Sequence, residues 1–500
     1  MAEEIQNKET QTSYRSIFKA TSLFGGVQIY QILVGVVKSK FLAILLGPAG
    51  MGIQGLYQST LDVVKSLTSF GLEQSAVRDI SEANGTNNEK RVGNTVAIVR
   101  RLVWLTGVLG FLITLLMSPY LSKWTFGNSD YTWGFAILSV TLLFNQICSG
   151  QKVLLQGMRR LKDLAKASAI GSTIGLLVSI PLYYWIGVKG IVPTMVLTSV
   201  SALLLTWYYS SKVPVEIVKV ETKEAIVGGR SMIKMGLAMS FSGILTTISA
   251  YLLRWFIREK GGIDEVGLYS AGLLVTNTYV GMIFSAMGTD YYPRLAAVNK
   301  DNERCREVIN QQGEVAILLI APIILSCIVF MPLIIRIIYS TEFLAAGNYI
   351  LFAVAGMIFK ATSWTISYSF LAKAESRLFI VNETISNLYF LLNNILGYIW
   401  GGLTGLGISY MLSYLIYMFQ VLIITKRRYG YEFSREFYRL FFIQLAIISL
   451  SVVLVYYSSS RLIYLPLSVF LLSCNFFSIR ELNKRTDLIK TFTTKYKKHK

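Results

Sequence analysis

The sequence predicts an all-α, polytopic membrane protein with about fourteen transmembrane helices, arranged as two parallel six-helix lobes followed by two C-terminal helices. Three observations support this fold class: an apolar composition, basic residues that occupy alternate connectors, and a glycine pattern that returns 215 positions later. The first two follow from repeated crossing of a bilayer, and the third indicates a tandem duplication of the scaffold.

The composition is that of a membrane protein. Mean hydropathy is +0.51, hydrophobic residues make up 53% of the chain and charged residues only 15%. A water-soluble chain of 500 residues could not bury so large an apolar surface. The apolar runs that are long enough to cross a hydrocarbon core of ~30 Å as helices are 17–46, 51–79, 94–118, 131–156, 164–187, 190–211, 230–257, 266–289, 314–339, 346–372, 378–400, 403–425, 438–457 and 460–478.

The basic residues predict the orientation of the chain. Connectors after even-numbered segments carry clusters such as Lys90-Arg91 and Arg159-Arg160, whereas the connector at 47–50 has no charge. By the positive-inside rule both termini are therefore predicted to be cytoplasmic. The same asymmetry explains the net charge of +20, so nucleic acid is not expected as a partner, and the basic tail is expected to touch anionic lipid headgroups.

The internal repeat is clearest at its glycines. Gly187-Val188-Lys189-Gly190 returns as Gly402-Leu403-Thr404-Gly405, and at the same offset of 215 Gly52 falls on Gly267. Each copy contains an even number of segments, so the two copies are predicted to have parallel topology. The predicted organisation is an N-terminal lobe at 1–211, a cytoplasmic linker at 212–229, a C-terminal lobe at 230–425, two additional helices at 426–478 and a basic cytoplasmic tail at 479–500.

The sequence argues against an enzyme. Its single histidine, His499, lies in the basic tail, and its four cysteines show no metal-ligand spacing. The G-x-G-x-x-G match at 50–55 follows a membrane helix and not a strand, which argues against a dinucleotide site. There is no G-x-x-x-x-G-K-[ST] motif for ATP hydrolysis. We therefore expect a transporter with no catalytic residue, no metal and no cofactor.

Polar residues inside the first two segments are the strongest functional signal. At 100° per residue they form one stripe on each helix. The two stripes are Thr21, Gln28, Gln31, Gly35 and Lys38, and Gln54, Gln58, Asp62, Lys65 and Ser69. A charge facing lipid costs roughly 2.5–3.5 kcal/mol, so these side chains are predicted to line a water-filled cavity. The alternative for Asp62 and Lys65 is an intrahelical pair that neutralises itself.

Further charged residues inside apolar segments extend the candidate site. Arg254 and Lys360 join Lys38 and Lys65 as candidate ligands of an anionic group, and arginine can bind phosphate oxygens in bidentate fashion. The candidate polar lining of the cavity is Gln28, Gln31, Gln58 and Asp62. The candidates for binding a coupling proton or sodium ion are Asp62, Glu73, Asp290 and Glu383.

Several stretches of the chain resemble the Wzx-type O-antigen translocases of bacteria. They are 38–52, Ser69-Phe70-Gly71-Leu72, Ala76-Val77-Arg78-Asp79, 155–162, Pro181-Leu182-Tyr183-Tyr184 and 266–271. The resemblance extends over about residues 15–430 and rests on the order and spacing of these stretches. It relates the chain to the multidrug/oligosaccharidyl-lipid/polysaccharide (MOP) exporter superfamily, which includes lipid II flippases and multidrug extruders.

The resemblance implies two six-helix lobes around a V-shaped cavity that opens alternately to each side of the bacterial inner membrane. It implies movement of an undecaprenyl-diphosphate-linked oligosaccharide from the cytoplasmic to the periplasmic leaflet. Lys38 and Lys65 look similar in position to arginines of the lipid II relatives, where cavity cations are thought to hold the diphosphate. We also expect contact with membrane lipids, function as a monomer, and a polysaccharide polymerase and a chain-length regulator as candidate partners.

Three alternatives stay open on the sequence alone. A multidrug or organic-cation antiporter of the same superfamily would need a carboxylate-rich cavity, which the lysines and arginines here do not provide. A lipid II flippase would match the count of fourteen helices. A membrane-embedded polysaccharide polymerase or glycosyltransferase would need a large loop or a catalytic domain, and no connector exceeds about 25 residues.

Overall fold

The protein is almost entirely helical in a computed structural model. The structure describes residues 2–86, 88–216, 218–373, 375–458 and 461–486, with side chains described from residue 26 onward except at some positions. These residues form sixteen α-helices and no β-strand. The α-helices are α1 Ala2–Thr68, α2 Leu72–Gly85, α3 Glu89–Phe126, α4 Thr132–Gly157, α5 Leu161–Ile186, α6 Ile191–Ser210, α7 Thr222–Gly228, α8 Arg230–Leu273, α9 Met282–Ala297, α10 Asn302–Val329, α11 Met331–Ile338, α12 Gly347–Ala355, α13 Met357–Ala372, α14 Ser376–Tyr429, α15 Arg435–Tyr457 and α16 Tyr464–Thr486.

Ten helical stretches of the described chain are long and apolar enough to cross a membrane. Four of the ten are much longer than the ~20 residues that one crossing needs. These four are Gly26–Thr68, Leu161–Ser210, Met239–Phe284 and Ser376–Tyr429, of 43, 50, 46 and 54 residues. Each contains a glycine-based break, so each holds two crossings. The ten stretches then account for the fourteen crossings that the sequence predicts.

The breaks repeat with the sequence. Gly47 has φ 64° and ψ −167°, and Gly262, 215 positions later, has φ 83° and ψ −178°. Gly187 has φ 58° and ψ −136°, and Gly402 has φ 56° and ψ −140°. Residues with a side chain rarely adopt these conformations, and glycine adopts them at no steric cost. The repeated glycines therefore encode the same break at equivalent points of the two copies.

The break at Gly402 turns α14 back on itself. Side chains before and after the break hydrogen-bond in antiparallel order, which a continuous helix of this length could not allow. The bonded pairs are Asn382 with Gln420 at 2.7 Å, Glu383 with Tyr417 at 3.0 Å and Asn394 with Ser409 at 2.9 Å. The two arms of α14 are therefore a helical hairpin, and we call residues 376–429 the α14 hairpin.

The chain divides into two compact units, Met1–Gly267 and Leu268–Lys500. A core of the first unit forms where buried residues of α2, including Leu72 and Ile80, pack on Val96 and Val99 of α3. In the second unit α10 and the stretch from α12 to α13 are the most enclosed of the candidate spans. Both units thus bury apolar helix faces against other helices as well as exposing apolar faces, as a membrane protein does.

The structure corrects the predicted ends of two helices. The second apolar segment, predicted at 51–79, ends as a helix at Thr68, because Gly71 takes φ +63° and starts the separate α2. The predicted linker at 212–229 contains the short helix α7, whose start is capped by Glu221 and Glu224. The last helix, predicted to end at 478, continues to Thr486, and the rest of the predicted basic tail lies outside the described residues.

Candidate functional site

The charged residues predicted on the second apolar segment meet a cation of α8. Gln58 Nε2 donates a hydrogen bond of 2.9 Å to Asp62 Oδ1, one helical turn away. The charge of Asp62 interacts electrostatically with Lys65 and with Arg254 of α8. Two of the four predicted cations thus lie within electrostatic range of one carboxylate. We call Gln58, Asp62, Lys65 and Arg254 the Asp62 cluster.

A chain of hydroxyl groups holds the helices that carry this cluster. Thr60 of α1 lies 3.0 Å from Thr125 of α3, whose hydroxyl lies 3.2 Å from that of Tyr251 on α8. Arg258, one turn beyond Arg254, donates a 2.9 Å bond to the carbonyl oxygen of Trp124. Buried hydroxyls in hydrogen-bonded chains fix helix rotation, so α8 presents Arg254 toward the face of α1 that carries Asp62.

The predicted stripe on the first apolar segment is also in the first unit. Lys38 and Gln31 are part-buried and Gln28 is exposed. Within the described part of the chain, Lys38 has no hydrogen-bond or ion-pair partner. Tyr30 lies 2.6 Å from the Thr173 hydroxyl and so ties this segment to α5. Among the described residues Lys38 is therefore an unpaired, part-buried cation of α1.

Gln54 extends the Asp62 cluster by one helical turn. Its Oε1 atom is buried and has no hydrogen-bond partner among the described residues. Buried polar atoms in folded proteins are nearly always paired. The Gln54 side-chain oxygen can therefore accept a hydrogen bond from a further donor.

Lys360, the fourth predicted cation, lies in the second unit among aromatic rings. Its ammonium nitrogen is 5.2 Å from the centroid of the Tyr414 ring and 5.7 Å from that of Phe284. The rings of Tyr410 and Tyr414 pack edge to face with centroids 5.0 Å apart. The quadrupoles of aromatic rings stabilise a cation by about 0.5–2 kcal/mol when it is shielded from water.

Glu383 is the centre of a polar network in the α14 hairpin. The Tyr417 hydroxyl donates to Glu383 Oε1 at 3.0 Å, and Asn382 approaches the same oxygen at 3.4 Å. The sequence did not single out Asn382, Tyr417 and Gln420, which complete this network. Nor did it single out three separate hydrogen-bonded pairs, which are Asn393 with Ser413, Asn394 with Ser409, and Asn277 with Tyr410. The signal that could have found them is the run of amides in an apolar segment, 382–394, facing the tyrosines at 410–417 across the hairpin glycines.

Of the other two acidic candidates, Glu73 does not join these clusters. Glu73 is exposed in the first turn of the short helix α2, after the break at Gly71, and not inside a spanning helix. The side chain of Asp290 lies outside the described part of the structure. Asp62 and Glu383 are therefore the acidic candidates that the described structure places next to other polar residues inside membrane helices.

The arrangement suits electrostatic binding. The Asp62 cluster brings together cations, a carboxylate and an amide, and among the described residues no hydrogen bond or charge interaction joins it to a thiol or imidazole. The described residues include no group of three or more His, Cys, Asp or Glu side chains suited to a metal ion. Cations inside membrane helices usually mark the path of a charged substrate.

The helical plan is that of solved transporters of the MOP superfamily. A multidrug resistance MATE family transporter of the MOP superfamily, in an inward-facing conformation, matches with a TM-score of 0.71 at 14% identity, covering 80% of this chain and 94% of that one. The lipid II flippase MurJ, in an inward closed conformation, matches with a TM-score of 0.65 at 12% identity, covering 94% of this chain and all of that one. The fold predicted from the sequence is thereby confirmed.

The chain belongs to the polysaccharide biosynthesis protein family, whose sequence profile matches residues 41–348. The lipid III flippase of Escherichia coli (strain K12) is 22% identical over 414 residues, covering 80% of this chain and 96% of the flippase. The lipid III flippase of Shigella flexneri matches to the same extent. These similarities confirm the resemblance to Wzx-type translocases, and the chain is a multi-pass membrane protein.

Proposed function

We propose that this protein is a flippase that moves an undecaprenyl-diphosphate-linked oligosaccharide from the cytoplasmic to the periplasmic leaflet of the bacterial inner membrane by alternating access. The observation that carries the proposal is the Asp62 cluster, in which the charges of Lys65 and Arg254 both act on Asp62 inside membrane helices. Membership of the polysaccharide biosynthesis protein family and the similarity to lipid III flippases support a lipid-linked glycan as the substrate class.

The diphosphate is proposed to bind Lys65 and Arg254, with Lys38 as a third cation of the first unit. Two unit charges 4 Å apart attract by about 4 kcal/mol at an effective dielectric constant of 20. A diphosphate carries more negative charge than a carboxylate, so it competes with Asp62 for the two cations. Asp62 would hold the cations in place between transport cycles.

The glycan is proposed to bind the uncharged polar groups. Sugar hydroxyls both donate and accept hydrogen bonds, and the Gln54 carbonyl oxygen is a buried acceptor in need of a donor. Tyrosine rings and amides of the α14 hairpin, with Lys360, would provide further contacts to sugar or phosphate. Asp62 and Glu383 are the proposed sites for a coupling proton or sodium ion.

We further propose that the transporter works as a monomer with both termini cytoplasmic and with lobes at 1–211 and 230–425. The alternation of basic connectors supports this orientation. Single cysteines introduced at Ala49 and at Thr222 should then react with an impermeant thiol reagent from opposite sides of the membrane. Labelling of both from one side would contradict the parallel arrangement of the lobes.

A transport assay tests the function. The purified full-length protein is reconstituted into vesicles with a polyprenyl-diphosphate-linked oligosaccharide, and an impermeant lectin reports how fast the glycan crosses the bilayer. We expect Lys65→Ala and Arg254→Ala each to slow transport at least tenfold. Lys123→Ala, which removes an exposed lysine at the end of α3, is the matched control and should transport at the normal rate.

Two results would refute the proposal. Normal glycan transport by both the Lys65→Ala and Arg254→Ala variants would refute the cationic site. Exchange of an organic cation for protons, with no movement of the glycan, would instead establish the antiporter alternative. This alternative is tested because a multidrug resistance MATE family transporter has a similar fold. In cells, deletion should cause the lipid-linked glycan to accumulate in the cytoplasmic leaflet, and the sugars of that lipid identify the substrate.

A further inference from the structure

A cavity of about 230 Å³ lies beside the first half of α3, away from the Asp62 cluster. Its walls are formed by one face of α3 and by the segment that joins the two sequence repeats. The lining residues are Gly93, Val96, Ala97, Arg100, Arg101, Trp104, Val215, Glu216, Val218 and Val220. None of these residues belongs to the candidate transport site, so the cavity is separate from that site.

The distribution of charge along α3 places this cavity at the level of the lipid headgroups. The 21 residues from Leu102 to Ser122 include no Asp, Glu, Lys or Arg. At 1.5 Å per residue they extend over ~32 Å, close to the thickness of the hydrocarbon core. Arg100 and Arg101 precede this stretch on the side predicted to be cytoplasmic. Trp104, 53% exposed and one turn further in, lies at the depth preferred by interfacial tryptophan.

The two arginines differ in their partners. Arg101 donates to the Thr222 hydroxyl from Nε at 2.9 Å and from Nη2 at 2.6 Å. Arg100 is exposed, and over the described ranges of the chain it makes no hydrogen bond or ion pair. A guanidinium group has five N–H donors arranged to bind phosphate oxygens in pairs. Arg100 is therefore free to bind an anion at the mouth of the cavity.

We propose that the cavity binds an anionic phospholipid of the cytoplasmic leaflet, with its phosphodiester on Arg100 and an acyl chain along Trp104. The valine side chains and Ala97 provide an apolar wall for the chain, and Arg100 provides the charge for the phosphate. Glu216 also lines the cavity, so its charge disfavours the more highly charged diphosphate of a transport substrate. A singly charged phosphodiester fits one free arginine beside one carboxylate.

The lipid would join α3 to the segment between the repeats. These already approach closely, since a Cβ built on Gly93 would lie 2.7 Å from the Glu216 carbonyl oxygen. At the offset of the repeat, Arg100 falls on Val315 and Arg101 on Ala316, so the second copy has no equivalent pair of cations. The site is therefore a property of the first copy alone and does not depend on the proposed transport function.

Native mass spectrometry of the full-length protein in detergent tests the proposal. Phosphatidylglycerol is titrated against phosphatidylethanolamine, whose amine neutralises the same phosphodiester. We expect the tightest phosphatidylglycerol to bind at least tenfold more weakly to Arg100→Ala, and Arg100→Lys to lose part of this affinity. The matched control is Lys123→Ala, which removes an exposed cation at the other end of α3 and should bind as the unaltered protein does.

A second measurement locates the acyl chain. Phosphatidylglycerol brominated on its acyl chains should quench the fluorescence of the unaltered protein more than that of Trp104→Phe. In the Arg100→Ala background, adding Trp104→Phe should no longer change the quenching. Equal affinity of Arg100→Ala and the unaltered protein would overturn the proposal. So would equally tight binding of phosphatidylethanolamine, or displacement of phosphatidylglycerol from this site by undecaprenyl diphosphate, which would make it a substrate site.

Discussion

Gly52 and Gly267, 215 positions apart, pack against each other backbone to backbone. A Cβ built on either glycine would lie 3.1 Å from the amide nitrogen of the other. Each would also press on a carbonyl oxygen, Ile263 for Gly52 and Pro48 for Gly267, and these two residues are again 215 positions apart. Each glycine thus makes the same contact with equivalent residues of the other copy, which indicates local twofold symmetry. The duplication is thus preserved as a symmetric contact between the turns at Gly47 and Gly262.

The first prediction concerns this contact. Gly52→Ala should destabilise the protein by about 1–3 kcal/mol, because the new methyl group meets backbone atoms of Ile263 and Gly267 as well as the branched Cγ2 of Ile263. The measurement is the apparent melting temperature of the purified protein, which should fall by several degrees. Gly35→Ala on the same helix is the control, since a Cβ there meets nothing within 4 Å. Equal melting temperatures for both variants would show that the contact can open at no cost.

The second prediction separates backbone conformation from packing. A Cβ built on Gly262 meets nothing within 4 Å, but its φ of +83° with ψ of −178° is a conformation nearly restricted to glycine. Gly262→Ala should therefore cost about 1–3 kcal/mol through backbone strain alone. Gly243→Ala on the same helix, also in open space and without a positive φ, should be neutral or stabilising. Chemical denaturation of both variants compares the two free energies of unfolding.

The third prediction tests whether Asp62 and Arg254 interact. Asp62→Asn removes the carboxylate charge that acts on Lys65 and Arg254, so it should destabilise the protein. Arg254→Gln should then cost less in the Asp62→Asn background than alone, with a coupling energy of about 0.5–3 kcal/mol. The measurement is a double-mutant cycle of unfolding free energies. Glu73→Gln combined with Arg254→Gln is the control cycle and should be additive, since Glu73 lies exposed on α2. Additivity in the first cycle would contradict the Asp62 cluster.

The fourth prediction concerns the α14 hairpin. Tyr417→Phe removes the hydroxyl that donates to Glu383 Oε1 at 3.0 Å across the two arms. A hydrogen bond to a charged group contributes about 1.5–3 kcal/mol, so the free energy of unfolding should fall by that amount. Tyr457→Phe is the control, because Tyr457 is 80% exposed and no described residue hydrogen-bonds to its hydroxyl. If Tyr417→Phe is as stable as Tyr457→Phe, the network does not hold the hairpin together.

The sequence predicted part of the candidate site because charge inside an apolar segment is a local signal. Asp62, Lys65 and Arg254 stand out in this way, and the structure brings them together. The sequence did not predict the network around Glu383, because asparagine and tyrosine occur in many packed membrane helices. Only the hydrogen bonds across the hairpin distinguish these residues from ordinary packing residues. Glu73 falls inside an apolar segment of the sequence but not inside the spanning helix, because the left-handed Gly71 separates the two.

By itself the sequence determined the number of crossings and the duplicated glycines, and the structure places a break at several of these glycines. Hydropathy is summed along one segment, and the positive φ values at Gly47, Gly187, Gly262 and Gly402 are each imposed on a single residue, so both can be read locally. Only the tertiary structure decided which polar side chains share a site. Arg254 comes within electrostatic range of Asp62, and Arg101 rather than Arg100 binds Thr222. Both outcomes depend on the rotation and register of packed helices. Rotation and register are set by many weak contacts that no single segment encodes.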